Sequence, residues 1–114
     1  MSFERFRVVR VPFPFTDGNA TKNRPALVLS DAEAFNAPAG HTVLAMITSV
    51  ETPDLPRDCP LEDLDQAGLP VPSKLRFKRF TPDNRLVRGE LGRLSAADAK
   101  RVAQGLSTLL RVSA

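Results

Sequence analysis

The 114-residue chain has few of the residues on which common stabilising or catalytic sites depend. It contains one cysteine, Cys59, one histidine, His41, and neither tryptophan nor tyrosine. A single cysteine excludes an internal disulfide and suits a reducing compartment. No apolar stretch approaches the ~20 residues of a membrane-spanning helix, and no signal-peptide pattern precedes Arg5. We therefore predict a cytoplasmic protein without membrane attachment.

The composition that remains is that of an ordinary globular protein, but its charge is unevenly distributed. With 42% hydrophobic and 25% charged residues, the chain is predicted to form one domain over residues 1–114. The net charge of +3 conceals a balance of −5 over residues 51–66 and +6 over residues 74–101. This segregation favours a basic face for a polyanion. Alternatively, the charges only keep the outer face of a strand hydrated.

Hydrophobic periodicity predicts a β-rich fold with one long helix, and the strands are expected at residues 6–13, 26–30, 41–49, 74–81 and 85–91. A helix begins at Ser95, with Asp98 at capping-box spacing, and a short helix at 61–67 ends at Gly68. Pro53 and Pro56 exclude a central strand at 51–58. Five to six short strands favour closure into a small SH3-like β-barrel, a mainly β fold with a C-terminal α-helix over one end.

The most informative segment is VPFPFTDGNATKNRPALVLS, residues 11–30. A polar loop places Lys22 and Arg24 at the edge of the second, apolar strand. Because arginine keeps its charge and presents a planar fork of donors, this position suits a phosphodiester. Alternatively, Arg24 forms an ordinary ion pair with a carboxylate such as Asp17. Phe13 and Phe15 beside the loop are candidates for contact with a ligand or partner.

A second basic element follows from alternation in the strand predicted at 74–81. Lys74, Arg76 and Lys78 share one face, while Leu75 and Phe77 share the other. We expect the three cations to form an open phosphate-binding face and Phe77 to pack in the core.

Four sequence blocks, in order, resemble the PemK/MazF family of bacterial toxins: the 11–30 segment, LAMITS, GLPVPSKLRFKRFT and LGRLSAADAKRVAQGLSTLL. The resemblance extends from about Val8 to Leu110. It implies an SH3-like barrel of the CcdB/MazF type, a homodimer and a cognate antitoxin. It also implies sequence-specific cleavage of single-stranded RNA without a metal or other cofactor.

The same resemblance assigns the site residues. The arginine of the Arg-Pro pair before the second strand is catalytic in the family and corresponds to Arg24, and the threonine closing the third strand corresponds to Thr48. The RNA-binding residues that we expect with them are Thr16, Asp17, Lys22, Ser49, Ser73, Arg76 and Lys78.

Two departures from the family affect the mechanism. Phe6-Arg7 replaces a common Gly-Asp, and Ser73-Lys74-Leu75-Arg76 lacks the acidic residue that often precedes the basic strand. A single histidine also excludes a two-histidine mechanism. Arg24 is then expected to stabilise the transition-state charge, and the Thr48 hydroxyl to bind the scissile phosphate or orient the 2′-hydroxyl. For the general base, Asp17 and solvent both stay open.

Two other functions are compatible with the same fold. One is a related toxin that binds a protein such as DNA gyrase without cleaving anything; the other is a catalytically silent SH3-like module that binds RNA or a protein. The Arg-Pro pair together with Ile47-Thr48-Ser49 favours the nuclease over the first. The acidic run is more typical of a solvated loop than of a metal site, because no histidine lies near it.

Overall fold

The computed structural model describes residues 3–12 and 23–111. Its strands, in chain order, are β1 (Arg7–Pro12), β2 (Asn23–Val28), β3 (Leu44–Ser49), β4 (Cys59–Pro60), β5 (Ser73–Phe80) and β6 (Gly89–Arg93). They form one six-stranded sheet in the order β4-β5-β3-β2-β1-β6, with antiparallel pairing throughout. The mainly β architecture expected from the sequence is confirmed.

The helical segments are a π-helical turn (Ala32–Asn36), α1 (Ala37–Ala39), α2 (Leu64–Ala67), a 3₁₀ turn (Asn84–Leu86) and α3 (Ala96–Leu110). The Ser95 hydroxyl caps α3 by accepting from the Asp98 N–H at 3.2 Å, and α2 ends at Gly68, whose φ is 73°. Both helix boundaries were predicted. No helix in the described part of the chain is long and apolar enough to cross a membrane.

Hydrophobic residues pack on both faces of the sheet. On the helix face, Leu27 and Leu75 belong to a buried cluster that includes Val102 of α3. On the opposite face, Ala26 and Val28 belong to a second cluster, which also contains Val9, Val11 and Leu44, with Phe3, Met46, Phe80 and Val87 packed against it. The continuous apolar run of β2 is therefore buried on both sides, as predicted.

Four strand predictions differ from the structure. The second strand begins at Asn23 rather than residue 26, because residues 23–25 already pair with β1, so Arg24 lies within the strand. The last strand begins at Gly89 rather than residue 85, because Asp83 caps a 3₁₀ turn by accepting from the Arg85 N–H at 2.8 Å. The third strand begins at Leu44; His41 forms only an isolated bridge with Asp83. The strand β4 was not predicted, and its two residues lie at the sheet edge, where proline is tolerated.

Over the described residues, the sheet is open: no ladder joins β6 to β4. The edge at β6 is instead packed against α2. A Cβ on Gly92 would lie 2.4 Å from the Gln66 carbonyl oxygen, and one on Gly68 would lie 2.1 Å from the Leu91 carbonyl oxygen. Only glycine permits this approach of one backbone to another.

Candidate active site

The sheet register brings Arg24 and Thr48 into one row. Ala26 on β2 pairs with Met46 on β3, and continuing the same register places Arg24 opposite Thr48. Alternation puts both residues on the opposite face, with Ala26 and Met46. The ladder between β2 and β3 ends at Ala26, because the preceding residue, Pro25, has no N–H to donate.

Arg24 is exposed near the beginning of β2. Its guanidinium has no hydrogen bond or ion pair with any residue of 3–12 or 23–111. The suggested pair with Asp17 lies outside the described residues, as do the other loop residues to which a role was assigned, namely Phe13, Phe15, Thr16 and Lys22.

Thr48 is half-buried, and its hydroxyl has a specific neighbour. Its Oγ1 lies 3.0 Å from Oγ1 of Thr52, within hydrogen-bond distance. On the other side, Thr48 pairs with Lys74 of β5. The row across the sheet therefore runs from Arg24 through Thr48 to Lys74.

Lys74 and Arg76 do not present open charges. Lys74 is only 2% exposed, and its Nζ donates to the Thr52 carbonyl and to Oδ1 of Asp54, both at 2.6 Å. Arg76 donates two hydrogen bonds to the Asp58 carboxylate, from Nε at 3.2 Å and from Nη2 at 2.8 Å. Lys74 also lies 3.3 Å from Asp58. We refer to Lys74, Arg76, Asp54 and Asp58 as the charge cluster.

Hydrogen bonding keeps Asp58, Lys74 and Arg76 of the charge cluster ionised. Burial acts to raise the pKa of Asp58, but hydrogen bonds from Arg76, the Leu55 N–H and Lys74 outweigh it, so the pKa lies below its ordinary value. The hydrogen bond to Asp54 raises the pKa of Lys74, and the one to Asp58 raises that of Arg76. All three groups are therefore charged at neutral pH.

The charge cluster corrects two predictions from the sequence. The expected open basic face is wrong for Lys74 and Arg76, whose charges are neutralised by the acidic loop. The interpretation of that loop as merely solvated is wrong for Asp58, whose side chain is 5% exposed. The signal was present in the opposite charge balances of residues 51–66 and 74–101. The role of Arg76 in RNA binding stays a prediction, and so does that of Lys78, which is exposed.

Ser49 and Ser73 lie away from the row of Arg24 and Thr48. The two serines pair across β3 and β5, and alternation places them on the helix face. The Ser49 hydroxyl accepts from the Glu51 N–H at 3.2 Å, and the Ser73 hydroxyl donates to the Val71 carbonyl at 2.8 Å. Both hydroxyls thus bond to neighbouring backbone.

The two phenylalanines of β5 separate between the faces of the sheet. Phe77 packs in the helix-face cluster, as expected, whereas Phe80 packs against the cluster on the opposite face. The two rings therefore lie on opposite faces of the sheet, each partly buried.

A second buried ionic group lies at the start of α3. The fully buried Asp98 carboxylate accepts from the N–H groups of Glu62 and Asp63 and from Arg101. Arg101 also donates to the Pro60 carbonyl at 2.9 Å. Asp98 therefore ties α3 to the segment between β4 and α2, a structural role that its capping-box position alone did not indicate.

Comparison with known proteins identifies the family of the chain. Residues 4–110 match the family model of the PemK-like, MazF-like toxins of type II toxin-antitoxin systems. The chain belongs to this family. A search of curated proteins finds no significant match.

Solved structures of PemK/MazF toxins share the fold over almost their whole length. A MazE-MazF complex from Deinococcus radiodurans is 26% identical, with 99% of this chain and 100% of that chain covered and a TM-score of 0.76. An endoribonuclease in complex with its cognate antitoxin from a mycobacterial species is 18% identical. The match covers 99% of this chain and 97% of the mycobacterial chain, with a TM-score of 0.75. At this identity, the likeness supports the fold alone.

Proposed function

We propose that this toxin is a metal-independent, sequence-specific endoribonuclease that cleaves single-stranded RNA in the cytoplasm. The observation that supports the proposal is the β2–β3 register, because its continuation beyond Ala26 and Met46 puts Arg24 and Thr48 in one row on one face of the sheet. Arg24 is exposed, whereas Lys74, the cation at the other end of that row, is neutralised by carboxylates. A charged donor and a hydroxyl are thus available side by side.

The reaction follows from the chemistry of RNA. The 2′-hydroxyl loses its proton to a base and attacks the adjacent phosphorus. The bond from phosphorus to the 5′-oxygen breaks, and that oxygen leaves with a proton. The products are a 2′,3′-cyclic phosphate and a 5′-hydroxyl. Arg24 stabilises the extra negative charge on the phosphorane, and Thr48 donates a hydrogen bond to a phosphate oxygen or orients the 2′-hydroxyl. The base is Asp17 or solvent.

The proposed partners follow from the same surface. Because MazF is bound to MazE in the Deinococcus radiodurans complex, we expect a cognate antitoxin here as well. Acidic side chains of a segment that orders on binding would occupy the phosphate position near Arg24. We also expect a homodimer, since so small a β domain gains stability and a wider groove by pairing around a two-fold axis. Expression of the toxin alone should arrest growth, and co-expression of its antitoxin should relieve the arrest.

The decisive experiment is cleavage of a mixed RNA by pure protein in EDTA, with the 5′ ends of the fragments sequenced. Arg24→Ala should lower the cleavage rate by about 100-fold or more, the usual scale for losing one charge-stabilising donor. Thr48→Val should also slow cleavage. The matched control is Arg10→Ala, which removes the same charge from neighbouring β1 on the other face of the sheet. A 2′-deoxy substitution at the mapped cleavage site should abolish cutting there.

The outcomes separate the alternatives. If a folded Arg24→Ala protein cleaves RNA at the wild-type rate, the catalytic assignment of Arg24 is refuted. Intact RNA with a shifted gel band would identify a binding module without nuclease activity. Intact RNA without a shift, combined with growth arrest, would favour a toxin with a protein target.

A further inference from the structure

The segment between β3 and β4 folds back beside the proposed active site. We call residues 50–58 the return loop. Its first turn closes where the Thr52 N–H donates to the Ser49 carbonyl at 3.0 Å, and its second where the Asp58 N–H donates to the Leu55 carbonyl at 3.1 Å. Pro56 and Arg57 occupy the middle of the second turn, Arg57 with a φ of 72°. These turns direct the loop back toward β5.

Buried cations hold the return loop by its backbone as well as by its carboxylates. Lys74 Nζ donates to the Thr52 carbonyl and Arg76 Nη2 donates to the Pro53 carbonyl, both at 2.6 Å. Asp58 then fixes the far end of the loop through Arg76. Since Lys74 and Arg76 are both at most 9% exposed, two consecutive carbonyl groups have nearly fixed positions.

This anchoring places one side chain against the proposed site. The Thr52 hydroxyl lies 3.0 Å from the Thr48 hydroxyl, and either oxygen can be the donor. When Thr52 donates to Thr48, the Thr48 proton points away and is free for a phosphate oxygen. Without that partner, the Thr48 hydroxyl rotates among several directions and donates less often toward the substrate.

We infer that Thr52 is a positioning residue for RNA cleavage: its hydroxyl, held by the return loop, orients the Thr48 hydroxyl toward the scissile phosphate. The inference rests on the proposed nuclease function. It assigns the charge cluster an indirect role, because Lys74 and Arg76 hold the loop from which Thr52 reaches Thr48. No contact between Thr52 and the RNA is required.

The contacts also make the inference testable. The loop is held at Thr52 by the backbone carbonyl, which any side chain leaves in place. Thr52→Val therefore removes the hydroxyl while keeping the shape of the side chain, and Thr52→Ser keeps the hydroxyl. The matched control is Thr108→Val on the exposed surface of α3, where the lost hydroxyl, among the residues described, bonds only to the Gln104 carbonyl of its own helix.

The experiment measures kcat and KM on an RNA that contains a mapped cleavage site. Thr52→Val should lower kcat by about tenfold and leave KM within about twofold, because one orienting hydrogen bond is lost without a lost substrate contact. Thr52→Ser should recover activity to within about threefold of wild type, and Thr108→Val should match wild type. In a Thr48→Val background, Thr52→Val should have no further effect, since no hydroxyl is left to orient.

The possible failures are distinguishable. A wild-type protein that does not cleave RNA refutes the proposed function and this inference together. Active wild type with an unchanged kcat in Thr52→Val refutes the inference alone. An equal loss of kcat in Thr52→Ser and Thr52→Val would also refute the inference. So would a double variant whose loss of kcat is the product of the two single losses, because each result indicates a structural effect of position 52. A rise confined to KM would identify substrate binding rather than positioning.

Discussion

Removal of the Asp58 carboxylate tests whether the charge cluster stabilises the fold as well as the return loop. Asp58 accepts from Nε and Nη2 of Arg76 at 3.2 and 2.8 Å and from the Leu55 N–H at 3.0 Å. It also faces Lys74 at 3.3 Å. The substitution Asp58→Ala therefore deprives two buried cations of a shared counter-ion.

The expected loss follows from these contacts. Hydrogen bonds to charged groups contribute about 1.5–3 kcal/mol each, and breaking a buried ion pair from one side costs about 3–5 kcal/mol. Asp54 still faces Lys74 in the variant, so we take the lower end of this range, about 3 kcal/mol of unfolding free energy. For a chain of this size, that loss lowers the urea midpoint by about 2 M.

The assay is urea unfolding followed by far-ultraviolet circular dichroism at pH 7. Protein concentration is held constant, because dimerisation would make stability depend on it. The matched control is Asp54→Ala, whose side chain is 87% exposed and whose loss leaves Asp58 in place. Asp54→Ala should lower the urea midpoint by less than half as much as Asp58→Ala does. A loss below about 1 kcal/mol for Asp58→Ala, the scale of a surface pair, would refute this account of the cluster.

Two further predictions concern acid and backbone packing. Because the folded-state pKa of Asp58 lies below the ordinary value of 3.8, its contribution is complete above about pH 4 and is lost as the pH falls through the folded pKa. The urea midpoint should then decline more steeply below about pH 4 in wild type than in Asp58→Asn; parallel declines would contradict this. Gly92→Ala should cost about 2–3 kcal/mol in the same assay, since its Cβ would meet backbone of α2. Gly40→Ala, with a φ of 68° and open space around it, should cost only about 1 kcal/mol; equal losses would mean that α2 does not pack as described.

The fold was largely predictable because its main signals are local. The apolar run 26–29 predicts a strand buried on both faces, and Ser95 with the periodic residues after it predicts α3. Such patterns act between residues a few positions apart, where backbone geometry alone sets which side chains share a face. Local pattern did not assign a role to Arg24 or Thr48; the resemblance of their short motifs to the family did, and those roles stay a prediction.

Only the tertiary structure decided what surrounds those residues. Alternation indicated that Lys74 and Arg76 share a face, but not that residues 54 and 58 would cover it, because those contacts span 16 to 20 positions and depend on two turns of the return loop. The Thr52 hydroxyl acquires its neighbour by the same route. Likewise, α2 packs on β6 through backbone contacts at Gly68 and Gly92, which no hydrophobic pattern marks. The sequence pattern determined which residues share a face of a strand or helix. The path of the chain between strands determined which charged groups and hydroxyls lie next to each other on those faces.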